Sequence, residues 1–291
     1  LFDRFPHPRS LIAFSLPLLG LGWMGVFTLP ESLPAAPWLI GMLTLTTVGY
    51  SLATVVHNTW GARLSSVPHE RTRLFAAREG FGLVGVVLAA ALPTVLADTL
   101  ADGLARMGWI FLALLLGFSA ISLIATPAMR RSTHAPGVRQ LLRPLANPSF
   151  ARFVPGYLLN GVAAALPATL VIFFIDDVLK LATHSGLFLA IYFLCGALGL
   201  PLWVRLAKRI GTLDAWLVSM GLAIAAFAGA FWLGEGDLVG YALVCAASGL
   251  ALGADLALPP ALVADMIDAD PAPQPGAYYG LMSFFAKLTL A

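Results

Sequence analysis

Charge is scarce in this chain. Charged residues make up 11% of the 291 residues and mean hydropathy is +0.87, whereas soluble domains carry about 25% charged residues. That shortage excludes an ordinary water-soluble domain. Net charge is only +2, and the basic residues are spaced along the chain rather than gathered in one patch, so no nucleic-acid partner is implied. The two cysteines, Cys195 and Cys245, both fall in apolar stretches, where a thiol packs as a small hydrophobe and no disulfide framework forms. Ligand clusters with zinc spacing and convincing Ser-His-Asp sets are also missing. The expectation is a protein that is not an enzyme and needs no cofactor. The chain opens at Leu1 without an initiator methionine or a signal peptide, and it closes inside an apolar run. Both ends read as cuts.

What the chain does have is nine long apolar runs. They cover Ser10–Leu29, Trp38–Trp60, Leu74–Ala97, Arg106–Thr126, Phe153–Ile175, Ser185–Val204, Leu213–Leu233, Leu238–Val263 and Ala277–Ala291. A bilayer core of about 30 Å needs about 20 apolar residues per helix, so eight runs are expected to span outright and the last is short. This predicts an all-α polytopic membrane protein.

Basic residues orient the spans, because short loops rich in Lys and Arg stay in the cytoplasm. Arg4 and Arg9 precede the first run. Arg63, Arg71 and Arg73 fill the second gap, Arg130, Arg131, Arg139, Arg143 and Arg152 the fourth, and Arg205, Lys208 and Arg209 the sixth. The opposite gaps hold only Arg106 and Lys180, while Arg78 and Lys287 lie inside runs. The N-terminal end and the long polar stretch are therefore expected in the cytoplasm, with the protein multi-pass in a cell (inner) membrane.

That polar stretch, residues 128–152, carries Pro136, Gly137, Pro144 and Pro148 among its arginines and reads as a linker. It divides the chain into an N-terminal bundle, residues 1–127, and a C-terminal bundle, residues 153–291. Two short basic turns, Leu1–Arg9 and Leu202–Gly211, stand six spans apart, as parallel six-helix halves would place them.

These features resemble the major facilitator superfamily, and three segments resemble its sugar:cation symporters of the melibiose permease type. Asp3-Arg4 is similar to that family's turn between helices two and three. His69-Glu70-Arg71-Thr72-Arg73-Leu74, followed by Arg78, is similar to the Glu-Arg-Thr element leading into helix five. Gly249 through Asp255, Pro259-Pro260, Asp265 to Asp268, Tyr279-Gly280 and Lys287 resemble helix ten, its exit loop and helix eleven. The resemblance implies family helices 3–6, a linker and helices 7–11, with about two N-terminal helices, the end of helix eleven and helix twelve missing. It also implies two six-helix bundles rocking about a midplane cavity.

Ionisable groups inside spans are penalised by about 2.5–3.5 kcal/mol on insertion scales and so seek a cavity or partner. Arg78 lies one turn into the third run, where the resemblance implies sugar contact, and a guanidinium fork suits paired hydroxyls. Glu79 follows it, pointing about 100° away around the helix. Asp255 sits near the centre of its run, too short to snorkel, and is a candidate for proton coupling or for a pair with Lys287. In helix four the resemblance keeps Tyr50 but puts Thr54 at the family's membrane aspartate and Asn58 at its stacking tryptophan, with His57 beside them. The loss of that acid argues for proton over sodium coupling and against melibiose-like specificity.

The expected substrate contacts are Arg78, Tyr50, Asn58 and Lys287. The expected cation-coupling residues are Asp255, Glu79, His57 and Thr54. Asp265 and Asp268 read as gate residues, with Arg205 or Arg209 as expected partners, and Asp3 and Arg4 belong to the gate as well. Gly20-x-Gly22-x-x-Gly25 matches a dinucleotide fingerprint, but it lies in an apolar helix with no strand before it, so it reads as helix packing, as does Gly249-xxx-Gly253. The expected partners are the lipid bilayer, a small-molecule solute, and a proton or sodium ion. The expected function is cation-coupled symport of a sugar or glycoside-like solute. A carrier of a lipid-like or amphiphilic solute and a non-transporting scaffold or sensor are the alternatives.

Overall fold

The computed structural model describes residues 8–28, 34–65, 67–125 and 141–289. Nine α-helices lie among them, one for each apolar run: α1 Pro8–Phe27, α2 Ala35–Leu64, α3 Pro68–Leu96, α4 Leu100–Ala125, α5 Pro148–Phe173, α6 Ser185–Ile210, α7 Thr212–Ala230, α8 Leu238–Asp268 and α9 Pro275–Leu288. No strand occurs among the described residues. Six helical segments are long and apolar enough to cross a membrane: Ala35–Ala62, Asp102–Ala125, Pro148–Val178, Ala182–Ile210, Thr212–Ala230 and Leu238–Asp268. In α1 the apolar part is shorter, Leu11–Phe27, and the first turns of α3 carry Glu70, Arg71, Arg73, Arg78 and Glu79. Large apolar side chains face outward on many helices, for example Phe81, Ile124, Phe231 and Trp232. Lipid, not water, is the medium that tolerates such a surface.

The helices run past the apolar runs at polar ends. Helix α3 starts at Pro68, six residues before the run at Leu74, because a proline at the first turn is preorganised for a helix and a hydrophilic turn is tolerated outside the bilayer core. Helix α5 likewise starts at Pro148, inside the stretch expected to be linker. The Asn147 side chain accepts from the Ser149 amide at 3.0 Å, and Pro148 takes the first helical position. A short 3-10 turn, Arg143–Ala146, leads into it.

The chain forms two compact units. The first comprises Leu1–Trp60 and Leu88–Leu141; the second comprises Gly61–Val87 and Leu142–Ala291. In the first unit α1 and α2 approach closely. A Cβ on Gly22 would stand 2.5 Å from the Thr46 hydroxyl oxygen, and one on Gly49 would stand 2.7 Å from the Leu19 amide nitrogen. The Gly20/Gly22/Gly25 pattern is thus a helix-packing surface, sealed by Trp38 Nε1 donating to the Gly25 carbonyl at 2.8 Å. Leu11, Ile12, Val56 and Trp60 form the buried core there.

In the second unit α8 is the axial element. Of its candidate span 56% is buried, against 6% for the α5 span, and it packs against α6 and α7. Gly249 and Gly253 make this possible: an added Cβ would meet the Tyr192 carbonyl oxygen at 2.2 Å and the Gly196 carbonyl oxygen at 2.6 Å. Pro259 and Pro260 lie buried inside α8. Lacking N–H groups, they withdraw the i+4 donors of the Asp255 and Leu256 carbonyls. One turn on, the Tyr279 hydroxyl donates to the Pro260 carbonyl at 3.0 Å. Cys195 and Cys245 are free thiols, Cys245 buried among Tyr241, Phe188 and Val244.

Gly249→Ala is expected to destabilise the protein by about 1–3 kcal/mol through overpacking. Gly221→Ala, with open space around it, is expected to be neutral or slightly stabilising. Thermal melting of both variants in detergent checks the contrast.

Candidate functional site

The start of α3 and the end of α8 meet through Arg71, whose side chain is 1% exposed. Its Nε donates to the Ser65 carbonyl at 2.6 Å, Nη1 donates to Asp265 Oδ1 at 3.3 Å, and Nη2 donates to Asp268 Oδ2. Asp265 and Asp268 are one helical turn apart, so both carboxylates lie on one face of α8. They sit in its last turn, where the helix dipole disfavours negative charge. The guanidinium offsets that repulsion, and the two carboxylates in turn compensate a buried cation. Ser65 braces the same corner, its hydroxyl donating to the Glu70 carboxylate. Tyr279, fully buried, completes it by packing toward Phe75, ring centroids 6.4 Å apart.

Sequence reasoning expected gate pairing at Asp265 and Asp268 but named the wrong basic residues as their partners. Arg205 and Arg209 are exposed on the last turns of α6, and neither forms an ion pair among the described residues. Arg71 was visible only as part of the Glu-Arg-Thr element. Asp3 and Arg4 lie outside the described residues.

Two turns further along α3, Arg78 Nη1 stands 3.4 Å from Glu79 Oε1, with the side chains 33% and 21% exposed. The neighbours therefore pair despite their divergent directions on the helix. Lys287 is exposed near the end of α9.

In the first unit Tyr50, Thr54 and Asn58 follow at intervals of four on α2, which aligns them along one helix face. Asn58 is buried and Tyr50 exposed. His57 stands beside this stripe with Nδ1 2.8 Å from the Ala53 carbonyl, so that nitrogen carries the proton and donates to it. Its ring meets Trp60 edge-on at 5.9 Å.

Asp255 lies in the second unit, seventeen residues after α8 begins and thirteen before it ends. Its Oδ1 accepts from Trp216 Nε1 of α7 at 2.8 Å, and the Asn160 side chain of α5 is a neutral polar neighbour of the same carboxyl group. The Trp216 indole thus anchors the carboxylate. Tyr157 of α5 and Tyr192 of α6 lie within its electrostatic reach. Phe153 lines the same place, its ring 5.6 Å from Trp216 and stacked on Tyr157 at 5.3 Å. Four helices thus converge on one acid. Sequence reading missed Asn160 and Tyr157, although their i, i+3 spacing in an otherwise apolar run was the available signal. For Trp216 an apolar run offers no signal.

Among the described residues no group of three His, Cys, Asp or Glu could hold a metal ion. Asp176 and Asp177 are exposed in a wide π turn after α5.

The profile of the MFS/sugar transport protein family matches residues 7–291. The chain belongs to this family. It is a multi-pass membrane transporter with the all-α major facilitator fold, whose surroundings are the bilayer and whose cargo is a small-molecule solute. The fold is also that of a solved transporter, described as a bacterial homologue of iron transporter ferroportin in outward-facing state, at TM-score 0.71 and 18% identity over 99% of this chain and 74% of that one. No curated protein matches the sequence. Within the MFS chain, the Arg71 corner is an ion-pair latch joining two helix ends, and Asp255 is a hydrogen-bonded acid in mid-helix.

Removing the Arg71 guanidinium leaves two carboxylates at a helix C-terminus. Because Asp265 and Asp268 are 34% and 53% exposed, solvent screens part of that loss, and Arg71→Ala is expected to destabilise by about 2 kcal/mol. Arg71→Lys is expected to restore little, since an ammonium cannot serve Ser65 and both carboxylates in one plane. Melting temperatures in detergent, with Asp265→Asn and Asp268→Asn as smaller perturbations, test this.

Proposed function

We propose that the protein is a proton-coupled symporter of a sugar or glycoside-like solute working by alternating access. The observation that carries the reading is Asp255, an acid in the middle of a spanning helix held by a neutral donor from α7 beside a neutral polar neighbour from α5. Such groups inside membrane spans mark ion and substrate pathways. A carboxylate with neutral partners changes its net charge when it takes a proton, and that change is what couples a gradient to a conformational step. Glu79, His57 and Thr54 are the further coupling residues of this proposal.

The solute contacts we assign are polar groups within each unit. In the first unit they are Tyr50 and Asn58; in the second they are Arg78 and Lys287. Arg78 offers a planar donor fork to paired hydroxyls. Asp265 and Asp268, latched by Arg71, act as the gate in this reading. Their ion pairs must break and re-form once per cycle, and their partial exposure keeps that step within reach of thermal energy plus binding energy. The distribution of basic residues supports a cytoplasmic side for this gate and the N-terminal end, and an inner membrane is the setting of this proposal.

A second reading, transport of a lipid-like or amphiphilic solute, is favoured by one observation. The stripe Tyr50, Thr54, Asn58 on α2 contains no acid, which leaves it fewer charged acceptors for a fully hydroxylated ligand.

Uptake by the full-length gene product in proteoliposomes, with separately imposed proton and sodium gradients, decides between these. The expected result is proton-driven uptake from a panel of sugars and glycosides, lost in Asp255→Asn and reduced about 10-fold or more in Arg78→Ala, as loss of one charge-assisted contact predicts. Uptake confined to lysolipids transfers the claim to the amphiphile reading. No gradient-dependent uptake of any panel member sinks the symporter.

A further inference from the structure

We infer that Trp216 and Asn160 make Asp255 a proton-binding carboxylate and keep alkali cations off it. The inference rests on the coupling role proposed for Asp255 and names the groups that choose its ion. An alkali cation in a protein needs a shell of oxygen ligands, supplied in transporters by carboxylates and by carbonyls of broken helices. At Asp255 Oδ1 the contact is instead a hydrogen-bond donor. Trp216 is buried, and its indole nitrogen is a donor only, with its hydrogen aimed at Asp255 Oδ1 from 2.8 Å. A cation approaching Oδ1 meets that hydrogen. The Asn160 side chain is a second neutral polar neighbour that favours the ionised form of the same carboxyl group.

Asp255 and Leu256 also carry carbonyls freed by Pro259 and Pro260, and these are the obvious competing ligands. They project toward the C-terminal end of α8, whereas the Asp255 side chain leans toward the N-terminal end, as every helical side chain does. The freed carbonyls and the carboxylate therefore face apart. Among the described residues no group of three His, Cys, Asp or Glu that could hold a metal ion includes Asp255.

A proton needs no such shell. Taken up on Oδ2, it turns that oxygen into a donor while Oδ1 keeps the Trp216 hydrogen bond. Trp216 of α7 donates to Asp255, and Tyr157 and Asn160 of α5 and Tyr192 of α6 are polar, uncharged side chains within electrostatic reach of it. Both tyrosine side chains carry a hydroxyl that can accept as well as donate. The indole and amide donors thus act as positioning and ion-selecting groups rather than as ligands.

Infrared difference spectroscopy of the full-length protein in proteoliposomes, without solute or gradient, reads this directly. The probe is acidification in choline chloride and then in sodium chloride. The expected wild-type result is a protonated-carboxyl band that appears on acidification, is unchanged by sodium, and is lost in Asp255→Asn. In Trp216→Phe, which keeps the ring and deletes the donor, the same band is expected to become sensitive to sodium, with about 10-fold lower sodium sufficient to suppress it. Asn160→Leu serves as a second variant with the same expectation should Trp216→Phe fail to fold. Suppression of the wild-type band by sodium, or its persistence in Asp255→Asn, overturns the inference. The coupling reading fails separately, when Asp255→Asn retains proton-driven uptake.

Discussion

A guanidinium removed from water is stable only where several fixed acceptors share its charge, and Arg71 has that arrangement. Its three nitrogens address the Ser65 carbonyl, Asp265 and Asp268. The consequence spreads along both helices. The first turn of α3 is held to the last turn of α8, so the paired Arg78 and Glu79 two turns further on take up a fixed height relative to the buried length of α8. Tyr279 ties the start of α9 to the same corner through the Pro260 carbonyl. Beside it Tyr278 donates to Asp270 at 2.8 Å and accepts from Asn147 at 2.7 Å, which anchors the cap of α5 as well. One ion-pair corner and two adjacent tyrosines therefore fix the ends of α3, α5, α8 and α9.

The interior of the second unit follows from a different constraint. Helix α8 is covered by neighbours along most of its length, and its small residues let α6 approach to backbone contact. Close approach of helices leaves no room for water, so a polar side chain there must find protein partners. Asp255 does so across helices, with Trp216 and Asn160. An acid placed in this way is strongly coupled to its surroundings: any change in its charge alters the polar contacts that join α5, α7 and α8. That coupling is why the acid and its donors, rather than the exposed Asp176 and Asp177, carry the functional proposal.

The helices were legible in the sequence because bilayer thickness imposes a length and lipid imposes a composition, and both leave a local pattern. The nine runs became nine helices for that reason. Their polar extensions at Pro68 and Pro148 were not read, since hydropathy reports burial in lipid and not helicity. Gly22 and Gly249 were correctly read as packing positions, because small residues at helical spacing have few other uses in an apolar run. Asp255, Asp265 and Asp268 were legible as unusual acids, but their partners were not. Arg71 lies 194 and 197 residues from its two carboxylates, and Trp216 lies 39 residues from Asp255, distances over which a sequence pattern carries no pairing information. Arg205 and Arg209 were the more obvious cations because they are clustered, yet both are exposed and form no ion pair among the described residues.

The central claim is that the Arg71 corner is a latch that opens during transport, not a permanent joint. Its most direct test is the distance between spin labels on Val67→Cys and Ala269→Cys, exposed positions flanking the latch, in full-length protein with Cys195 and Cys245 replaced by alanine. Double electron–electron resonance in lipid nanodiscs at two pH values, with and without a transported solute, supplies the distribution. The account predicts a short-distance population in the latched state and a longer one that grows with acidification and solute and dominates in Arg71→Ala. A single, unchanged short distance under every condition, including Arg71→Ala, would contradict it.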